Sequence, residues 1–162
     1  MYPLPEQYNK GFTIIEALVA LVVLTVSLGP ALILSSNLSS TISVVQNNLI
    51  ATGLAQEGVE VVRALRDANW FNNLPFDNGL SDGTYRVEWD SGSLIILGAN
   101  PPLKIDNGRY NYSSGADTLF QRTITITKLS PENLRVVSNL TWNEKGGRAR
   151  DIKVESYLFN WK

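Results

Sequence analysis

One carboxylate stands where the surrounding residues should exclude it. Glu16 is the only ionisable side chain between Phe12 and Leu34, a run of 23 residues. From Ala17 to Gln56 there is no Asp, Glu, Lys or Arg over 40 residues, and the next cation after Glu16 is Arg63. A carboxylate at the middle of a membrane helix costs roughly 2.5–3.5 kcal/mol, and less near the end. Such a group needs a cationic partner. Hydrolysis of the Gly11–Phe12 peptide bond would supply one, because it leaves a new ammonium on Phe12, four residues from Glu16.

No other chemistry has a constellation to stand on. The chain has 162 residues, no Cys and no His. Thiol catalysis, disulfides, Cys-based zinc sites and lipidation on Cys are excluded, and the commonest general base and metal ligand are missing. Formal net charge is −1, with 18% charged residues, so there is no basic footprint for nucleic acid. Asp77-Asn78-Gly79, Asp82-Gly83 and Asp106-Asn107-Gly108 are rich in oxygen and suit calcium in type, but Asx-Gly pairs are ordinary turn formers. No metal, no cofactor and no enzymatic activity is expected. Trp70, Trp89, Trp142 and Trp161 read as core and edge aromatics, and nothing in the sequence makes them a carbohydrate platform.

The elements that must position Gly11, Phe12 and Glu16 follow from the patterning. As a helix, the apolar run is roughly 34 Å long, enough for a hydrocarbon core of about 30 Å. A removed secretory signal fits poorly. The leader carries one Lys against one Glu, the apolar run exceeds a signal core, and Pro30 falls inside the small-residue stretch Ser27–Ala31. Beyond it, Leu34, Leu38, Ile42, Val45 and Leu49 recur at helical spacing, and the stripe continues through Leu54, Val61, Val62 and Leu65. One helix is therefore expected from residue 12 to about 68, ended by Asn69, Asn72, Asn73 and Pro75. Gly29 and Pro30 mark a kink, since Pro30 lacks a donor and crowds the carbonyl of Val26.

The remainder reads as strands. Tyr85, Val87 and Trp89 alternate on one face, as do Phe120, Arg122, Ile124 and Ile126, and again Leu134, Val136, Ser138, Leu140 and Trp142. Asn143 to Gly147 is a turn into a last strand over Arg150–Trp161. In that strand Ile152 and Val154 face the helix. Tyr157, Phe159 and Trp161 have the opposite parity, which requires either a bulge near Ser156 or aromatics on the outer face. Residues 90–116 are irregular, with short strands at Leu94–Leu97 and Arg109–Tyr112. The expected fold is α+β, a long N-terminal helix packed on an antiparallel sheet, with Leu49, Leu54, Val61, Val62 and Leu65 as the cover. The expected division is a leader at 1–11, the long helix at 12–70 and a β-rich head at 71–162.

Gly11-Phe12-Thr13-Ile14-Ile15-Glu16, followed at once by an apolar helix, resembles the class III signal of type IV pilins and type II secretion pseudopilins. The short leader ending Lys10-Gly11 is similar to theirs, and Leu54 to Glu60 and Tyr157 to Trp161 resemble pilin-like proteins more loosely. Ala17-Leu18-Val19-Ala20-Leu21 is closer to minor pilins and minor pseudopilins than to major subunits. The resemblance implies a structural subunit of a pilus or pseudopilus. A prepilin peptidase cuts after Gly11 and N-methylates Phe12. Glu16 pairs with the ammonium of a neighbouring subunit. The partners are the peptidase, other pilins and the bacterial inner membrane, with the head outside the cytoplasm. The C-terminal cysteine pair of many type IV pilins is missing here. The competing expectation is a single-pass anchored β-domain that binds a ligand as a monomer, for which an ammonium beside Glu16 has no use.

Overall fold

The computed structural model describes residues 11–161, so the expected leader lies outside the described residues except for Gly11. The chain forms two units, one up to Ser43 and one from Val44 onward, and a single helical assignment, α1 (Ile14–Phe71), runs through both.

In the first unit every apolar side chain from Phe12 to Leu34 is exposed. The 22 residues Ile14–Ser35 are long and apolar enough to cross a membrane. Their few hydroxyls are satisfied within the helix: Thr25 Oγ1 donates to Leu21 O and Val22 O, and Ser27 Oγ to Val23 O and Leu24 O. The helical assignment continues through Gly29 and Pro30.

The second unit is α+β, as the patterning predicts. A five-stranded antiparallel sheet has the order β2 (Ile95–Ile96), β1 (Gly83–Arg86), β6 (Gln121–Ser130), β7 (Asn133–Asn143) and β8 (Ala149–Phe159). A small antiparallel sheet has the order β4 (Arg109–Asn111), β3 (Lys104–Asp106) and β5 (Ala116–Asp117). The expected inner faces of β6 and β7 are all buried, with Ile124, Leu134, Val136, Ser138 and Leu140 at 0% exposure.

The helix covers that face with Ala51, Leu54, Ala55, Val59, Val61 and Val62, and with Leu65 packed at the margin. Leu49 does not belong to the cover; it is 69% exposed. At roughly 100° per residue it lies on the side opposite Ala51, where the buried stripe begins. The approach is tight at Gly58, where an added Cβ would lie 2.6 Å from Ile124 Cδ1 and 2.7 Å from Ser138 Oγ.

Arg122 is the charged member of this core, on the face where the alternation places it. Its side chain is fully buried, and Nη1 donates to Leu54 O and Glu57 Oε1, each at 2.8 Å, while Nη2 donates to Val87 O at 2.7 Å. One guanidinium thus ties the helix to β6 and to the chain after β1. Arg63 pairs with Glu60, three residues earlier on the same helix.

Two local readings need correction, and one that the sequence left open is decided. The first strand ends at Arg86, so Trp89 does not share a buried strand face with Tyr85 and Val87; it lies in a turn and is 46% exposed. The Ser91 hydroxyl accepts the Glu88 N–H at 2.7 Å and diverts the backbone from the ladder. Within residues 90–116, β3 adds a strand that the sequence did not announce; it pairs with β4 through an Asn107-Gly108 turn at positive φ and with β5, which ends just beyond at Asp117. At the C-terminus the β7–β8 register runs unbroken from Asn143↔Ala149 to Asn133↔Phe159, which excludes a bulge near Ser156. Tyr157 and Phe159 therefore lie on the outer face, and Leu158 supplies the buried anchor. Trp161 follows the strand and meets the Trp70 ring edge-on at 4.5 Å.

Candidate processing and assembly site

Helix α1 begins at Ile14, which leaves Gly11, Phe12 and Thr13 outside it. Thr13 is the N-cap. Its Oγ1 accepts the Glu16 N–H at 3.3 Å, and its carbonyl accepts the Ala17 N–H at 3.1 Å. Thr13-Ile14-Ile15-Glu16 has the spacing of a capping box, with the acid at the third helical position. The sequence reading used Gly11, Phe12 and Glu16 and passed over Thr13, although the Thr-x-x-Glu spacing was there to be read.

The geometry has two consequences. The Gly11–Phe12 bond lies in non-helical backbone, two residues ahead of the cap, where no intrahelical hydrogen bond protects it. Glu16 lies in the first turn, where the helix dipole favours negative charge. Among the described residues its carboxylate has no hydrogen bond or ion pair. Phe12 is 76% exposed, and its neighbours Ile14 and Ile15 are 84% and 72% exposed, so the whole motif is open to an outside partner.

The other candidates are placed differently. Pro30 sits inside α1, and nothing within 4 Å would meet a Cβ on Gly29. The three Asx-Gly stretches do not assemble into a metal site. Asp77 pairs with Lys128 Nζ, Asp82 accepts the Lys128 backbone N–H, and Asp106 Oδ2 accepts Ser114 Oγ at 2.9 Å. Among the described residues no group of three or more acidic side chains is arranged to hold a metal ion.

Residues 7–32 match a family model described as the prokaryotic N-terminal methylation motif. The match takes in Gly11, Phe12, Glu16, Gly29 and Pro30 and the larger part of the apolar helix. No curated protein and no solved structure matches the chain. The motif and the apolar helix that follows it support the type IV pilin and pseudopilin family, and with it a pilin-like subunit.

Proposed function

With a prokaryotic N-terminal methylation motif at its N-terminus as the premise, we propose that this chain is a subunit, of the minor type, of a type IV pilus or a type II secretion pseudopilus. Prepilin peptidase hydrolyses the Gly11–Phe12 bond, leaving a carboxylate on Gly11 and an ammonium on Phe12, and that nitrogen then loses a proton and takes a methyl group from a sulfonium methyl donor. The observation that carries this reading is the placement of the bond: accessible backbone ahead of a capped helix whose first turn holds a carboxylate with no partner among the described residues.

Residues 14–35 are stored in lipid in the monomer and between other subunits in a filament. Both settings suit a segment whose backbone bonds are internal. Glu16 then pairs with the Phe12 ammonium of another subunit. Desolvation offsets most of that attraction, so the pair contributes register more than stability. A head-to-tail contact that does not close on itself produces a helical filament. Pro30, next to Gly29, leaves the Val26 carbonyl without its usual donor and gives the helix a place to bend during assembly.

The test is mass spectrometry of the N-terminus of protein isolated from membranes of the native host. The expected terminus is Phe12 with a methylated amine. A chain that still begins at Met1, or one cut near Ala31, sinks the reading.

A further inference from the structure

We propose that the cavity beside Trp89, in the unit from Val44 onward, binds a neutral saccharide. The inference does not rest on the assembly reading, since none of its residues belongs to the N-terminal motif. The cavity has a volume of about 420 Å³; Glu88, Trp89 and Asp90 form one side, and Asp106, Arg109 and Asn111 of the β3–β4 hairpin the other. That size suits a small organic ligand.

Asn111 is the anchor. It is 7% exposed, yet it lines the cavity. Its Oδ1 accepts Ser113 N at 2.9 Å, Ser114 N at 2.7 Å and Ser113 Oγ at 3.4 Å, which fixes the orientation of the carboxamide. Its NH2 group has no partner among the described residues and remains for the cavity. An amide donor held this rigidly on a nearly buried residue loses little freedom on binding.

The rest of the lining is complementary to a sugar in two ways. Trp89 is 46% exposed; the Arg109 guanidinium covers one face of its ring, 4.6 Å from the centroid, which leaves the other face and the ring edge for a ligand. A large aromatic surface suits the C–H face of a pyranose. Around it stand acceptors. Glu88 is held by Tyr112 N at 2.8 Å on Oε1, and Asp106 by Ser114 Oγ on Oδ2, so each keeps a second oxygen, and Asp90 has no partner among the described residues. These carboxylates do not converge into a group that could hold a metal ion. Spread acceptors fit several hydroxyl groups rather than one cation. Three carboxylates against one guanidinium also disfavour an acidic sugar.

The experiment uses the full chain in a detergent without a sugar headgroup. Methyl glucoside, methyl galactoside, methyl N-acetylglucosaminide and their disaccharides are titrated, with glucuronate and calcium chloride as separate arms. Saturation-transfer NMR on the saccharide and tryptophan fluorescence are the readouts. Saturable binding of at least one neutral sugar is expected at roughly ten millimolar or below, weakened about tenfold or more by Trp89→Ala and by Asn111→Ala. Trp89 is exposed, so its variant separates loss of the site from loss of the fold. No binding in the neutral panel overturns the proposal. So does binding unchanged in Trp89→Ala, tighter binding of glucuronate, or a response to calcium alone.

Discussion

Two glycines in the same helix show how a single residue is judged by what surrounds it. A Cβ at Gly53 would meet nothing within 4 Å, whereas one at Gly58 would press on Ile124 and Ser138, both at 0% exposure. Gly→Ala in a helix gains about 1 kcal/mol from propensity, and overpacking a core costs about 1–3 kcal/mol. Gly53→Ala is therefore expected to raise the melting temperature. At Gly58 the packing cost outweighs the gain, and Gly58→Ala lowers it. Thermal denaturation of both variants checks the signs; equal shifts would show that α1 does not approach the sheet at Gly58. A second residue-scale effect lies on the outer face of the sheet. Arg135 donates to both oxygens of Glu155, at 2.9 and 2.7 Å, and these bonds, with one from Tyr157, lower the Glu155 pKa to about 2. The folded value lies below the unfolded one, so the contribution is present above the ordinary carboxylate range and is lost as pH falls toward 2. The pair is exposed, so the effect is small and sensitive to salt. Melts of Glu155→Gln and the parent should differ at pH 7 and converge by pH 2.

At the scale of elements, long periodic runs were legible in the sequence and short ones were not. The inner faces of β6 and β7 could be read residue by residue, because three alternating positions of β6, extended by Phe120 just before it, and five of β7 are buried. β3 and β5 have three and two residues, too few to show an alternation, and their pairing depends on an Asn-Gly turn and on contacts far along the chain. Trp89 was misplaced because a Ser91 hydroxyl outcompetes the ladder, and Leu49 because a stripe read every three or four residues drifts off the buried face. Arg122 was placed on the correct face, but periodicity gives no sign that a buried guanidinium will find Glu57 and two carbonyls. Thr13 had a readable signal in its spacing to Glu16. The same core predicts where the chain can be cut. A fragment beginning at Val44 keeps every helical residue of the core from Ala51 to Trp70 and should be soluble, with a cooperative melt. A fragment beginning at residue 72 loses Leu54, Val59, Val61 and Val62 from the sheet. At about 1.5–3 kcal/mol per buried aliphatic side chain, that loss is comparable to a whole domain's stability of about 5–15 kcal/mol. It should aggregate. A cooperative melt of the shorter fragment would remove α1 from the core.

For the whole molecule, the division of labour turns on Glu16. Nothing in the fold of the unit from Val44 onward uses this residue, and in its own unit the carboxylate has no hydrogen bond or ion pair among the described residues. A group so placed is a cost in lipid and a gain only where a cation meets it, so its effect belongs to assembly. Glu16→Ala is therefore expected to enter the membrane, to be processed at Gly11–Phe12 and to keep the melting temperature of the folded unit, because Thr13 still caps the helix. Its incorporation into sheared filaments should fall severely. Glu16→Gln should behave nearly as badly, since it keeps the shape and removes the charge. Quantifying the protein in membrane and filament fractions, alongside the mass of its N-terminus, separates the steps. Loss of processing would make Glu16 a recognition residue for the peptidase. Normal incorporation of both variants would remove the charge pair from the mechanism and leave the apolar helix as the only determinant of assembly at this end of the chain.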